Sequence, residues 1–337
     1  MWQSLFQFTK PTTITAAIDA YFRNFNLAPL TRRQYRTGLR RFEEHLLNEE
    51  NIDPTREKVS AITLLEVRKF VNSLKRYAPS TERVYTYALY GFLDELVANP
   101  AIDFDLDMYL VRRHGRRRLR TPAKRIPNFP KQAITQLLEY VATTHPSMGQ
   151  TEREQLNLLR SKALVLTLAD TGLRIHEACK LLRGDLDRNT RKAVVTGKGN
   201  KEAMVRFTPR SLGAIEAYLT ARQDYDAASG KSWENLPIFS GHDRRGLKQM
   251  KPISTNGARS ILAEVVVAAL GEESQKLITP HTLRHYFVTQ AMIRSGGNLR
   301  VAQELARHSS LATTERYAHL DERELDEQFE RIFVSGE

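Results

Sequence analysis

Hydrophobic residues recur at helical spacing through the first hundred residues. In TRRQYRTGLRRFEEHLL one apolar stripe is formed by Tyr35, Leu39, Phe42 and Leu46, as in an amphipathic helix. TITAAIDAYFRNFNL, TLLEVRKFVNSL and STERVYTYALYGFLDELV have similar patterns. We therefore predict a domain of four helices over residues 11–110.

The pattern stops at residue 111. VRRHGRRRLRTPAKRIPNFPK has three prolines and little apolar periodicity, which is typical of an extended segment. We predict an interdomain linker over residues 111–130.

Helical patterns return from residue 131, with one interruption. RKAVVTGKGNKEAMVRFTP alternates apolar and polar residues on both sides of Gly-Asn, which predicts a β-hairpin. Helices are predicted again over SLGAIEAYLTARQ, NGARSILAEVVVAAL and ITPHTLRHYFVTQAMIRSG. We expect a second domain over residues 131–320, mainly α with a small antiparallel β-sheet. Residues 321–337 form a separate tail with apolar residues at helical spacing.

Composition narrows the class of protein. The 337 residues include one cysteine, Cys179, so an internal disulfide and a zinc cluster built on cysteines are excluded. No apolar run is long enough to cross a membrane, and the N-terminus lacks the pattern of a secretion signal. We expect a cytoplasmic protein. The net charge of +12 indicates a polyanionic partner.

Most of that charge lies in the linker. Residues 111–131 contain 9 basic and no acidic residues, whereas residues 1–110 contain 14 of each. Phosphates would neutralise this density, although a solubilising tether is the alternative. The predicted DNA-contacting residues of the linker are Arg112, Arg113, Arg116, Arg117, Arg118, Arg120, Lys124 and Arg125.

Basic residues also recur on the predicted helices of the first domain. Arg32, Arg36 and Arg40 follow one another every four residues, and Arg83 shares a side of its helix with Tyr87 and Tyr90. Such a face suits a duplex backbone. A solvated arginine face is an equal alternative.

Candidate chemical groups are scattered through the second half. TGLRIHEA contains Arg174 and Glu177, the hairpin tip contains Lys198, and HTLRH contains His281 and Arg284. Each has an ordinary structural explanation when taken alone. His281 and His285 are spaced like a metal-binding pair, but the glutamate of H-E-x-x-H is missing, which disfavours a zinc site.

Four segments in order, TGLRIHEACKL, TGKGNK, HTLRHYFVTQ and LARHSSLATTERYAHL, resemble the catalytic boxes of the tyrosine recombinase (phage integrase) family. LTRRQYRTGLRRFEEHL and STERVYTYALYGFLDELVANP resemble its core-binding domain, so the resemblance spans roughly residues 12–320. It implies a two-domain DNA clamp with a four-helix core-binding domain and a catalytic domain. The implied catalytic residues are Arg174, Lys198, His281, Arg284, His308 and Tyr317, with Glu177 in support.

The resemblance implies a site-specific recombinase that cleaves DNA through a covalent 3′-phosphotyrosine. Arginines stabilise the negative phosphorane-like transition state, so no metal or other cofactor is expected. One departure is Arg307, where the family usually has Gly: a cation there could contact DNA or distort the turn. Few residues precede the first helix, which suggests an Xer-like or mobile-element enzyme without an arm-binding domain.

Two alternatives share features with this interpretation. A type IB topoisomerase uses the same chemistry, and a DNA-binding protein could have lost catalysis. The match to recombinase spacing disfavours the topoisomerase. The presence of all six implied catalytic residues disfavours a protein that has lost catalysis. The resemblance also implies a homo-tetramer on two DNA sites, in which the tail docks on a neighbouring subunit. The alternative is that the tail packs on the second domain of its own chain.

Overall fold

The computed structural model describes residues 13–120, 130–197, 202–242 and 249–307. The chain divides into two compact units, Met1–Lys124 and Arg125–Glu337. Each unit has its own hydrophobic core. In the described part of the chain no helix is long and apolar enough to cross a membrane.

The first unit contains five helices in its described residues. They are α1 (Ile14–Asn24), α2 (Pro29–Glu49), α3 (Leu64–Ser73), α4 (Pro79–Ala98) and α5 (Met108–Arg118). α2 and α4 cross closely at Gly38, where a Cβ atom would lie 3.0 Å from the Tyr85 ring. The four predicted helices are confirmed, and α5 is an addition.

α5 corrects the predicted linker, because residues 111–118 are helical and not extended. Asp107 caps the helix by accepting hydrogen bonds from the backbone N–H groups of Tyr109 and Leu110 at 2.8 and 3.1 Å. Val111 is buried in the core of the first unit, and its carbonyl accepts a hydrogen bond from the Tyr90 hydroxyl. The sequence pattern did not reveal this helix, because a segment rich in arginine shows no continuous apolar stripe, even though arginine is a good helix former.

The second unit is mainly helical with one small sheet. Its helices are α6 (Lys131–Thr143), α7 (Glu152–Thr171), α8 (Ile175–Lys180), α9 (Pro209–Ala221), α10 (Gln223–Ala228), α11 (Thr255–Leu270), α12 (Pro280–Arg294) and α13 (Leu299–Ala306). The antiparallel sheet has the order β1 (Leu186–Asp187), β2 (Lys192–Thr196) and β3 (Glu202–Arg206). The predicted hairpin is confirmed, with Val194 opposite Met204, and so is the predicted fold class.

A buried polar cluster holds the segment that follows α10. Arg222 is fully buried, and its guanidinium donates to Asp226, to the hydroxyls of Tyr218 and Ser240, and to the carbonyls of residues 237 and 238. Burial, together with nearby arginines, lowers the pKa of His242 to about 3. That imidazole therefore stays neutral between Tyr218 and Asn157. A buried charge whose three guanidinium nitrogens all have acceptors favours one arrangement of the segment.

Candidate active site

A glycine turn at the end of α7 is the base of the site. Gly172 adopts the left-handed conformation at φ 60°, which is unfavourable for residues with a side chain. A Cβ atom at this position would also lie 2.3 Å from the Phe287 ring. The turn therefore requires glycine, and it directs the chain into Arg174 and α8.

Glu177 fixes Arg174 at the start of α8. Its carboxylate accepts hydrogen bonds from the Arg174 backbone N–H and from Arg174 Nη1, each at 2.9 Å. The Glu177 side chain is 2% exposed and that of Arg174 is 41% exposed. The arrangement holds one terminal nitrogen of the guanidinium while the side chain stays partly exposed, so Arg174 can reach an anion.

The first turn of α12 carries His281 and Arg284. Thr279 is the N-cap, accepting from the Thr282 N–H at 3.2 Å, and Pro280 is the first helical residue, as predicted. Arg284 points inward and is buried. It donates through Nη1 to the carbonyl of Gly172 and through Nη2 to the carbonyl of Ala306. Arg284 thus ties three sequence segments into one site.

The charges of the site act on one another. Partial burial and the guanidinium groups of Arg284 and Arg174 lower the pKa of His281, so its ring is largely neutral at pH 7 and can accept a proton. Burial by itself would raise the pKa of Glu177, but Arg307 and Arg174 more than offset it and leave that pKa lowered. Glu177 therefore stays ionised as the counter-charge of the site.

Arg307, which stands where the family usually has glycine, points into the site. The residue follows α13 in the left-handed conformation, at φ 55° and ψ 45°, so the turn keeps a conformation that suits glycine. Its side chain runs inward, and Nη2 lies 3.1 Å from Glu177 Oε2 and 3.3 Å from the Gly172 carbonyl oxygen. The side chain is 9% exposed. Arg307 was recognisable from the sequence as a departure from the family pattern, but its contact with Glu177 was not.

Four of the predicted catalytic or supporting residues therefore lie together: Arg174, Glu177, His281 and Arg284. Lys198, His308 and Tyr317 lie outside the described residues. Gly172 is a functional position that sequence reasoning missed, although a glycine after a long helical pattern was its signal. The His281 and His285 rings are 4.1 Å apart between centroids. Within the described ranges no group of three or more metal-ligating side chains clusters.

Several predicted DNA-contacting arginines have partners inside the first unit. Arg32 and Arg36 lie over the Phe22 ring, Arg40 pairs with Glu44, Arg83 donates to Tyr87, and Arg112 pairs with Asp94. Arg113 is exposed on α5. Lys124, Arg125 and the side chains of Arg116, Arg117 and Arg118 lie outside the described residues. DNA contact by these residues stays a prediction.

Arg120 has the most extensive set of internal partners among these arginines. Its Nε donates to the buried carboxylate of Glu82 at 2.6 Å, and its Nη2 donates to the carbonyls of Lys75 and Tyr77. These bonds fasten the end of the first unit to the start of α4. The direct role of Arg120 in the structure is therefore intramolecular.

A groove opens between the first turns of α2 and α4. It has a volume of about 340 Å³ and is lined by Leu30, Arg33, Gln34, Thr37, Ser80, Thr81, Val84 and Tyr85. Both helices begin with proline, and the positive ends of both helix dipoles lie here. We call this surface the α2/α4 groove; its polar lining can both donate and accept hydrogen bonds.

Comparison with known proteins identifies the family. The model of the phage integrase family matches residues 129–324, more than half of the chain. The chain belongs to the phage integrase family. Its predicted enzyme class, a tyrosine recombinase acting in DNA recombination, is thereby confirmed.

Relatives and solved structures agree with this assignment. The tyrosine recombinase XerC of Pediococcus pentosaceus is 34% identical over 182 residues, 54% of this chain and 57% of that protein. XerC of Psychromonas ingrahamii is 29% identical over 93% of this chain and 95% of its own length. A structure of the XerH site-specific recombinase bound to palindromic difH substrate has a TM-score of 0.68 at 16% identity, over 96% of this chain and 85% of that one. This last likeness concerns the fold alone.

Proposed function

We propose that this phage integrase family member cleaves and rejoins duplex DNA at specific sites through Tyr317. The Tyr317 oxygen attacks the scissile phosphorus, a phosphotyrosine bond forms at the 3′ side, and the 5′-oxygen leaves as a hydroxyl. The reverse reaction with another 5′-hydroxyl rejoins the strand. Bond energy is retained in the ester, so no energy source is required.

The observation that carries the proposal is the convergence of Arg174, His281 and Arg284 around the Gly172 turn. Glu177 balances part of this positive charge, and the 41% exposed side chain of Arg174 can still bind a further anion. A phosphate supplies that anion, and its transition state carries more negative charge on the non-bridging oxygens than the ground state. The site therefore favours phosphoryl transfer over simple phosphate binding.

Proton transfers complete the reaction. A free tyrosine has a pKa of about 10, so Tyr317 must lose its proton as it attacks, and neutral His281 accepts it. Lys198, beyond the end of β2, donates a proton to the leaving 5′-oxygen. His308 donates a hydrogen bond to a phosphate oxygen. The arginines supply the positive charge that a metal ion supplies in other phosphoryl-transfer enzymes, so no cofactor takes part.

The α2/α4 groove is our candidate for reading the DNA sequence. Arg33 and Gln34 project from one helix, and Ser80 and Thr81 from the other. Arginine pairs with guanine and glutamine with adenine through two hydrogen bonds each, whereas phosphate contacts alone carry no sequence information. The basic residues from 111 to 125 would then supply non-specific affinity.

Assembly and location complete the proposal. DNA is the partner, and two sites are held by a homo-tetramer in which residues 321–337 reach a neighbouring subunit. The tail contains seven acidic and two basic residues, which suits a protein surface better than DNA. We place the enzyme in the cytoplasm of a bacterium, or of a cell that carries a mobile element, where its DNA substrate lies.

The test is a trapping assay on a nicked duplex that contains the recombination site. The protein should become covalently attached to the DNA, and Tyr317→Phe should not. Tyr140→Phe, which removes the hydroxyl of a half-exposed tyrosine on α6, is the matched control and should be trapped normally. EDTA should leave the yield unchanged. Equal trapping by Tyr317→Phe, or loss of trapping with EDTA, would contradict the mechanism.

A further inference from the structure

Arg307 occupies a position that disfavours it on backbone grounds. It ends α13 in the left-handed region, at φ 55°. There the Cβ atom of an ordinary residue crowds its own carbonyl, and glycine avoids the strain. Substitution by glycine would therefore leave the turn unstrained.

The buried guanidinium is a second unfavourable feature. Burial lowers the pKa of Arg307, which means that its charged form is disfavoured, and Glu177 offsets only part of that effect. Among the described residues, no acceptor is available to Nε or Nη1, although both atoms are buried. Buried donors without acceptors destabilise a fold. Local stability alone therefore gives no reason for arginine at this position.

The contacts of Nη2 supply a reason. Nη2 lies 3.1 Å from Glu177 Oε2 and 3.3 Å from the Gly172 carbonyl oxygen. Glu177 Oε1 accepts from Arg174, and the same Gly172 carbonyl accepts from Arg284. Arg307 thus contacts both groups that hold the two phosphate-binding arginines.

We propose that Arg307 is a positioning residue that latches the turn before His308 onto the Glu177 carboxylate and the Gly172 carbonyl. The latch acts through Glu177: Arg307 and the Arg174 backbone N–H both hold Oε2, and Oε1 keeps the Arg174 guanidinium in a single orientation toward the phosphate. The inference rests on the proposed function, because its effect is on the rate of DNA cleavage.

Direct contact of Arg307 with DNA is the competing possibility. It requires the guanidinium to reach the surface, yet the side chain is 9% exposed and Nη1 is buried. A DNA contact would chiefly change affinity and its dependence on salt. A latch would instead change the rate of the chemical step at saturating DNA, and these two effects can be measured separately.

The test compares Arg307→Gly with Arg300→Ala, which removes an exposed arginine from the same helix. The nicked substrate is used at saturating concentration, and the rate of covalent complex formation, the DNA Kd and the thermal unfolding midpoint are measured. We expect Arg307→Gly to cleave about 10- to 100-fold more slowly, as for a misplaced catalytic group. Its Kd should stay within about twofold, and all rates are measured below its unfolding midpoint, because glycine relieves the backbone strain but leaves the buried Glu177 with one counter-charge fewer. Arg300→Ala should match the wild type.

A double-mutant cycle then checks that the effect passes through Glu177. The double variant Glu177→Gln/Arg307→Gly should cleave little more slowly than the slower of the two single variants. Each substitution already disrupts the same interaction, so the second has little left to remove. Additive losses would overturn the latch, as would a wild-type rate for Arg307→Gly or a loss of DNA affinity that accounts for the slower reaction. Absence of a Tyr317-dependent adduct in the wild type would instead overturn the proposed function on which the latch rests.

Discussion

Gly172→Ala is the substitution whose effect can be worked out most fully. Alanine at φ 60° is disfavoured by roughly 1–2 kcal/mol. Its Cβ would lie 2.3 Å from Phe287 Cδ1, and overpacking of this kind costs typically 1–3 kcal/mol. We expect a loss of about 3 kcal/mol in the free energy of unfolding, which lowers the Tm by about 6–12 °C for a unit of this size.

Activity should fall further than stability alone explains. The Gly172 carbonyl accepts hydrogen bonds from Arg284 and Arg307, so any shift of the turn moves both guanidiniums. A displacement of about 1 Å in a catalytic group can reduce the rate by about 100-fold. Thermal unfolding and the trapping assay, run below the Tm of the variant, separate the two losses.

Gly213→Ala is the matched control. Gly213 lies in α9, and a Cβ atom there has nothing within 4 Å, so alanine should stabilise the helix by about 0.5–1 kcal/mol. In a Phe287→Ala background, Gly172→Ala should cost only the backbone part, about 1–2 kcal/mol. If Gly172→Ala and Gly213→Ala have the same Tm and the same trapping rate, the reasoning about the turn is refuted.

Three further substitutions and one truncation test other parts of the protein. Alanine at residues 116–118 should weaken binding to all duplexes alike and reduce the salt slope by roughly one per lost phosphate contact; an unchanged slope would indicate a free tether. Arg120→Ala should reduce the free energy of unfolding, measured in urea, by about 2 kcal/mol. This is less than the roughly 3–5 kcal/mol expected for a fully buried pair, because the Arg120 side chain is 42% exposed although that of Glu82 is buried. If Arg120→Ala costs as much stability in a Glu82→Gln background, the pairing is excluded. Gln34→Ala should relax preference at one base pair by about 1–3 kcal/mol in a binding-site selection, and an unchanged preference would exclude the α2/α4 groove as the reader. A chain ending at Leu320 should bind one site in gel shifts but not synapse two, and normal synapsis would make the tail a local packing element.

Features set by neighbouring residues were predictable from the sequence. The start of α12 depends on Thr279 and Pro280 side by side, and both take the predicted cap positions. The β2–β3 hairpin depends on alternation around Gly-Asn and is also as predicted. The family resemblance predicted that Arg174, Glu177, His281 and Arg284 belong to one site, and the structure places these four residues together, while their catalytic roles stay a prediction.

Features set by distant partners were not predictable. Arg120 looked like one more linker cation because Glu82 lies 38 residues earlier in the chain. Arg307 could have faced DNA, and its inward course follows from a contact with Gly172 across 135 residues. α5 was missed because its apolar residues are confined to the first turn after the Asp107 cap, and the arginine-rich remainder shows no apolar stripe. Periodicity predicts which side of a helix or strand is apolar, whereas the partners of charged side chains depend on tertiary contacts.

The double hydrogen bond at the Gly172 carbonyl has a consequence for synthesis of the protein. Its donors, Arg284 and Arg307, follow 112 and 135 residues later, so these are contacts of high sequence separation that close late in folding. At about 5–20 residues per second, a ribosome needs several seconds to tens of seconds to supply them after Gly172. The contacts at the Gly172 turn can therefore form only after residue 307 has been synthesised.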